Sequence, residues 1–349
     1  MLKKLKTLRQ DASASAKATY EDVSWVIIEL MSDEAKRYAK RSLVFLMISI
    51  ACLTAIPFTL KYVYNAYSSG DLITAQLALL CTLVVGFGAV EFGTAHDKQR
   101  EHMWNRNYFS IRVGLIWKLF TRSREEVLGE NSEFGIEQVE STKDRAQNIL
   151  YLLFFESPFV TVTILMSTTF LLFVDVTSAV ILGGLTVGNI LWFYLFNPVI
   201  DKIMTPIDKK FRSENRRSTE RVNMYATVVA HGVEDKMVDE IKVELKEPLD
   251  EDLAFWAKRF PQIDIWRRRL NNVVPYITLA YGMQYSDWTI GDLGAIAAWS
   301  YAISRDYGYI GHLMRHLTSQ AARLRAARET LSTPSVLEDD GDIILERRL

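Results

Sequence analysis

Hydrophobic and polar positions along this chain segregate into blocks. Six uncharged runs, Leu43 to Leu60, Leu72 to Val90, Ser157 to Val174, Val176 to Ile200, Leu270 to Tyr285 and Leu293 to Ser304, are separated by strongly charged segments. A helix needs about 20 predominantly apolar residues to cross a bilayer. The first four runs are near or above that length, and the last two become spans only by continuing into polar helix. The last extends furthest: from Trp288 to Pro334 no proline or charge cluster stops a helix. At about 1.5 Å per residue, some forty residues reach roughly 60 Å, twice the hydrocarbon thickness, so half of that helix is expected to stand in water. That half carries Arg315, Arg323, Arg325 and Arg328 among small alanines, the composition of a solvated helix packed on neighbours.

The second and fourth runs also continue as helix. The second passes Trp104, Ile111, Leu115, Trp117 and Phe120 to a polar break at Glu125 to Phe134, and the chain returns through Gly135 to Asn148 into the third run. The fourth descends through Ile207 and Phe211 to a break at His231-Gly232-Val233-Glu234-Asp235, returning through Trp256 and Trp266. The expected fold is an all-α membrane protein with six transmembrane helices and two long helical hairpins on one side, each with a short acidic, glycine-containing tip. Tyr20 to Met31 is apolar enough to lie in the membrane plane as an elbow helix, with Trp25 at the headgroup level. The expected division is an N-terminal segment over 1–42, the helical domain over 43–333 and a tail over 334–349.

Charge gives the orientation. The chain is 49% hydrophobic yet 24% charged, too apolar for a typical soluble protein and too charged for a bare bundle. Of its 41 lysines and arginines, only Lys61 falls on the side of the short loops; all others lie before the first run, in Ala95 to Arg145, in Asp201 to Arg269, or from Arg305 onward. The positive-inside rule makes that basic face cytoplasmic, with both termini on it. The expectation is a multi-pass protein of a bacterial plasma membrane. Topology explains the basic residues, so nucleic acid is not an implied partner. Cys52 and Cys81 sit inside the first two spans, with neither metal nor disulfide spacing.

Thr289-Ile290-Gly291-Asp292 opening the last span, Ala321 to Arg328 (AARLRAAR) leading to Thr333-Pro334, and Gly135 followed by Asp144, taken with six spans and two hairpins, resemble the membrane domain of exporter-type ABC transporters. Gly232 resembles the glycine of the second coupling hairpin. Gly341 to Glu346 is similar to the first strand of the nucleotide-binding domain that follows in half-transporters. The resemblance implies the permease part of an ATP-driven exporter. Gly135, Gly232, Glu234 and Asp235 would dock on ATPase domains, fused or separate, with Asp144 fixing the first hairpin by capping or pairing, and a second copy or homologous half would complete one pathway through the lipid bilayer. No cofactor is expected in this chain, with ATP and Mg bound on the nucleotide-binding domain. No G-x-x-x-x-G-K-[ST] motif is present to cradle phosphates, so the ATPase lies elsewhere, and a longer polypeptide is expected. The rival reading is a membrane scaffold or regulatory subunit that keeps the exporter fold without moving cargo.

Ionisable groups inside a membrane are costly and usually face inward. Glu156, Arg305 and Asp306, with Trp299 on the last helix, are therefore the candidate cargo path. Arg305 and Asp306 point about 100° apart on a helix and are not expected to pair with each other. Gly184 and Gly188 have the spacing that permits close helix approach. His312 and His316 have i, i+4 spacing without a third ligand, so no metal is expected.

Overall fold

The computed structural model describes residues 2–120 and 138–332. The first hairpin tip with Gly135, and the tail with the expected strand at Gly341 to Glu346, lie outside the described residues. Among the described residues there are ten α-helices, three π-helical turns and no strand. Helix α1 is Leu2–Trp25, followed by a π turn at Val26–Leu30; α2 is Asp33–Ser68, α3 Leu72–Phe120 and α4 Gln138–Tyr151. A second π turn, Leu152–Glu156, joins α4 to α5, Ser157–Val174; then come α6, Val176–Asn223, α7, Tyr225–His231, and α8, Glu234–Leu253. The third π turn, Ala254–Arg259, leads into α9, Phe260–Tyr285, and the chain closes with α10, Ile290–Ser332.

Helices this long form because few residues in them break a helix and because their first turns are capped. Ser32 accepts from the Ala35 amide at 3.2 Å, and Asp33 and Glu34 occupy the first turn, where negative charge offsets the helix dipole. The three short connections opposite the hairpins end in caps of the same kind. Asp71 accepts from the Thr74 amide at 3.1 Å, and Asp175 from the Ser178 amide at 2.7 Å. Thr289 and Asp292 satisfy each other's backbone amides, at 3.0 and 3.2 Å. At this last turn Gly291 lets α10 press against α2. A Cβ there would stand 2.3 Å from the Lys61 carbonyl, and the Gly291 amide donates to Asn65 Oδ1 at 2.9 Å. Lys61, the one cation on the short-loop side, pairs with Asp292 at 2.7 Å.

Among the described residues, four helices are long and apolar enough to cross a membrane: Asp33–Ser68, Leu72–Phe120, Val139–Val174 and Val176–Phe211. The remaining two expected spans, in α9 and α10, fall short of that standard because their uncharged runs stop at Leu270 and Ser304. Along α3, Leu77, Leu83, Val84, Phe87 and Val90 are each more than half exposed, a continuous apolar surface suited to lipid. Gly184 and Gly188 both face open space, so their spacing mediates no contact between described residues.

Three hydrophobic cores hold the helices together. The first packs the hairpin-side halves of α3, α4 and α10 through Ile111, Leu115, Ile149, Leu324 and Leu331. The second joins α5, α6 and α10 within the apolar band through Ile164, Leu182, Ile296 and Trp299. The third is the root of the second hairpin: Ile200, Met204, Ile207, Phe255 and Phe260. Along that hairpin, Arg221 grips Glu244 with two bonds of 2.7 and 2.9 Å, and Lys210 reaches Glu247 and Glu251.

Trp25, expected among headgroups, is 5% exposed and belongs to the first core. Its segment covers other helices: Val26, Leu30 and Met31 are buried in the same core as apolar residues of α3 and α4. Beside it lies an ion-pair cluster. Asp22, fully buried, pairs with Arg325 at 3.2 Å and Arg328 at 3.0 Å, and Arg328 also donates to Glu21. Burial pushes the Asp22 carboxyl from the ordinary 3.8 up to about 6, although both guanidiniums pull it down. The folded chain therefore holds this proton more tightly than the unfolded chain, and stability from this group falls as pH rises through that interval. In melting curves, the chain should lose stability relative to Asp22→Asn between about pH 4 and 6, with the difference level above pH 6. A difference that widens in favour of the unmodified chain over that range would contradict the assignment.

Candidate functional site

A cavity of about 810 Å³ opens among α2, α3, α5 and α10 and the π turn between α4 and α5. It sits where the uncharged runs give way to charge. Leu46, Ser49, Gly93, Phe159 and Val160 line its apolar side, and His96, Asp97, Arg100, Glu156, Arg305 and Asp306 its polar side. The π turn matters locally: one extra residue shifts the phase of the helix, so that Phe155 and Glu156 both reach the cavity. His96 is fixed by Ser42, whose hydroxyl and carbonyl lie 2.8 and 3.0 Å from Nδ1.

Of the four candidate path residues, Glu156, Arg305 and Asp306 converge on this cavity. Trp299 does not. It is 1% exposed, stacks on Phe170 with centroids 5.7 Å apart, and donates to the Thr54 carbonyl at 2.9 Å. Its role is to lock α10 onto α2 and α5. Arg305 and Asp306, not expected to pair, do: Arg305 Nε donates to Asp306 Oδ1 at 2.8 Å. The long arginine arm overrides the 100° offset because Asp306, 3% exposed, would otherwise be a buried charge without compensation. The His312 and His316 rings lie with centroids 4.2 Å apart, tilted by 50°, and no group of three or more metal-ligating side chains occurs among the described residues.

Behind Asp306 lies a buried polar network that joins α6, α9 and α10. Arg267, 6% exposed, donates to Asp264 at 2.6 and 2.9 Å, to Asn189 Oδ1 at 3.2 Å and to the Tyr307 carbonyl at 3.0 Å. Asn189 and Asn271 exchange bonds of 2.8 and 3.1 Å, and Ser304 donates to the Asn271 carbonyl at 2.7 Å. The guanidinium also lies over Phe193, 4.8 Å from its ring centroid. Sequence reasoning counted Arg267 only as topology charge. The signal was present: Asp264, Arg267 and Asn271 lie at i, i+3, i+7, one face of a helix that borders an uncharged run.

The hairpin residues are placed as follows. Gly232 ends α7 in the left-handed region, φ +61°, with its amide turned back onto Val228 and Val229, and nothing lies within 4 Å of where a Cβ would be. Glu234 and Asp235 start α8, exposed, where carboxylates suit the positive helix end. Asp144 is exposed on α4 and pairs only loosely, at 3.3 Å, with Lys143. Lys143 is the anchoring residue that sequence reasoning missed. It is 2% exposed, bonds Glu140, and lies 4.1 Å over the Tyr108 ring, so it ties α4 to α3.

A bacterial Atm1-family ABC exporter solved with ATP bound superposes on this chain with a TM-score of 0.69 at 15% sequence identity, over 86% of this chain. The chain has an ABC exporter fold. It spans about half of that exporter, 54% of its length. No protein-family model and no curated protein matches the sequence. Within this exporter fold, the cavity and the network meet on α10, at Asp306 and Tyr307.

Removing one member of a buried ion pair costs about 3–5 kcal/mol, whereas replacing both with apolar residues is often close to neutral. Arg268 also donates to Asp264, at 2.6 Å, so Arg267→Met leaves that carboxylate one partner while stripping a donor from Asn189 and the Tyr307 carbonyl. The melting temperature of the detergent-solubilised chain should fall, and Asp264→Leu with Arg267→Met should recover part of the loss. Equal stability of Arg267→Met and the unmodified chain would mean that the network does not hold these helices.

Proposed function

We propose that this chain is the membrane-spanning part of an ATP-driven exporter, moving cargo by alternating access coupled to a nucleotide-binding domain. The observation that carries the reading is the cavity's position: within an exporter fold, at the edge of the apolar band, lined by α3 and α10, which continue away from it as rigid rods. In this reading α9 and α10 complete six spans, because Arg267 and Arg305 are compensated inside the bundle by Asp264 and Asp306. The hairpins and both termini are cytoplasmic, residues 1–42 precede the six-helix domain of 43–333, and 334–349 lead toward the ATPase. A second copy or homologous half completes the pathway, and ATP with Mg binds on the nucleotide-binding domains.

Coupling runs through the hairpin tips. A tip must present backbone closely to a groove on the ATPase, and Gly232, exposed and left-handed, presents it without a side chain. Glu234 and Asp235 beside it offer charge to basic residues of the groove; Gly135 plays the part of Gly232 on the first hairpin, which Asp144 fixes. Closure of the ATPase domains on nucleotide biases one arrangement of the helices, and cargo in the cavity biases the other.

Gly232→Trp adds bulk at the tip and opposes the left-handed backbone, at an exposed position far from every core. With the ATPase domain present, the variant should insert and dimerise normally and hydrolyse ATP, while cargo movement into vesicles falls to background. Normal transport by Gly232→Trp would remove the second hairpin from the coupling path.

A further inference from the structure

Helices α2 and α10 are fastened together toward the short loops. Lys61 of α2 pairs with Asp292 of α10 at 2.7 Å, and Asn65 Oδ1 accepts the Gly291 amide at 2.9 Å. Two turns further in, the Trp299 indole donates to the Thr54 carbonyl at 2.9 Å. Past that contact, Leu46 and Ser49 of α2 and Arg305 and Gly308 of α10 line the cavity. The helix from Ser49 to Lys61 sets the ion pair about 18 Å from the cavity wall, toward the short loops. Backbone closes this end. A Cβ on Gly291 would stand 2.3 Å from the Lys61 carbonyl and 2.6 Å from Asn65 Oδ1, so a larger residue would force the helices apart. Asp292 divides its oxygens: Oδ2 accepts from the Thr289 amide at 3.0 Å and caps its own helix, which leaves Oδ1 for Lys61.

The chemistry of this closure differs from that of the cores. Ile296 and Trp299 are packed in apolar surroundings, and parting them would expose apolar surface to water. The Lys61 and Asp292 side chains are 18% and 13% exposed, at the edge of water. Once parted, each regains hydration, so the paired and parted states lie close in free energy. Such a contact can be broken and remade in every cycle. Lys61 is also the one lysine or arginine on the short-loop side, where the charge bias of topology disfavours a cation. We propose that Lys61, Asn65, Gly291 and Asp292 form the outer gate of this chain, a polar latch shut in this structure that must part before cargo leaves toward the short loops.

The latch rests on the exporter reading, and its test separates the two. Thr54, 5% exposed and one contact further in than the latch, is the reporter. The chain together with its ATPase domain, carrying Cys52→Ala, Cys81→Ala and Thr54→Cys, is placed in vesicles with the short loops outward. A membrane-impermeant, positively charged methanethiosulfonate is added outside, and the rate of thiol modification is measured. Without nucleotide the reaction should be slow, and ATP with vanadate sealed inside, which holds ATPase domains closed, should speed it several-fold. Lys61→Gln should speed the nucleotide-free reaction about five-fold, what one partly exposed ion pair is worth as a shift in the shut-to-open ratio. Lys61→Arg, which keeps the pair, should leave it slow. A cysteine at Ser69, exposed beyond the latch, should react at one rate throughout. A nucleotide effect with Lys61→Gln as slow as the unmodified chain would overturn the latch and leave the exporter reading standing. No nucleotide effect in an assembly that hydrolyses ATP would overturn both, whatever Lys61→Gln does.

Discussion

A guanidinium at the edge of an apolar helix bundle cannot stay there alone, and the junction of α6, α9 and α10 follows from how Arg267 is accommodated. Its five N–H donors take up Asp264, Asn189 and the Tyr307 carbonyl, which draws α6, α9 and α10 to one point. The Tyr307 hydroxyl extends the junction by donating to the Leu182 carbonyl of α6 at 2.7 Å. In an environment poor in water, partners that exist in only one arrangement of the helices select that arrangement. Residue 306 follows directly: with Tyr307 held from behind, Asp306 is fixed at the wall of the cavity, and Arg305 alone is left to compensate it.

The same construction gives the molecule its mechanical character. Helices α3 and α10 run from the cavity into the hairpin-side core without interruption, stiffened there by Leu115, Leu324, Leu331 and the Asp22 ion pairs. The second hairpin has its own small core and its own ion pairs, and joins the rest mainly through α6 and α9, the helices that Arg267 ties to α10. The core at the root of that hairpin lies on α6 and around the start of α9, and the Tyr307 carbonyl that Arg267 holds is next in sequence to Asp306 on the cavity wall. On the exporter reading, nucleotide and cargo sense each other through this junction.

The architecture was legible in the sequence because block segregation of apolar and charged residues is a strong, long-range pattern. It located the uncharged runs, the turns and the 43-residue last helix to within a few positions. Glu156, Arg305 and Asp306 were legible as a group by the cost of charge in an apolar bundle, and they do share one cavity. What escaped was pairing. Arg305 with Asp306 was dismissed on angular grounds that ignore the reach of an arginine, and Trp299 was assigned to the path although an indole with its N–H satisfied by Thr54 is a packing residue. Lys143 was hidden among many surface cations, and only three-dimensional burial distinguishes it, whereas Arg267 shared a helix face with Asp264 and Asn271 and that pattern was passed over. Trp25 was misplaced for a related reason: an apolar helix face is the same signal whether lipid or protein covers it.

The central claim is that occupancy of the cavity governs work done by nucleotide through this chain. Its most direct test is the rate of ATP hydrolysis by the chain reconstituted into vesicles with an ATPase domain, measured against rising concentrations of a panel of candidate cargo molecules. The account predicts saturable stimulation by at least one of them, shifted to higher concentrations by Glu156→Gln, with uptake of that molecule in parallel. Hydrolysis indifferent to every cargo offered, with no uptake, would contradict the account and leave a scaffold that keeps the exporter fold.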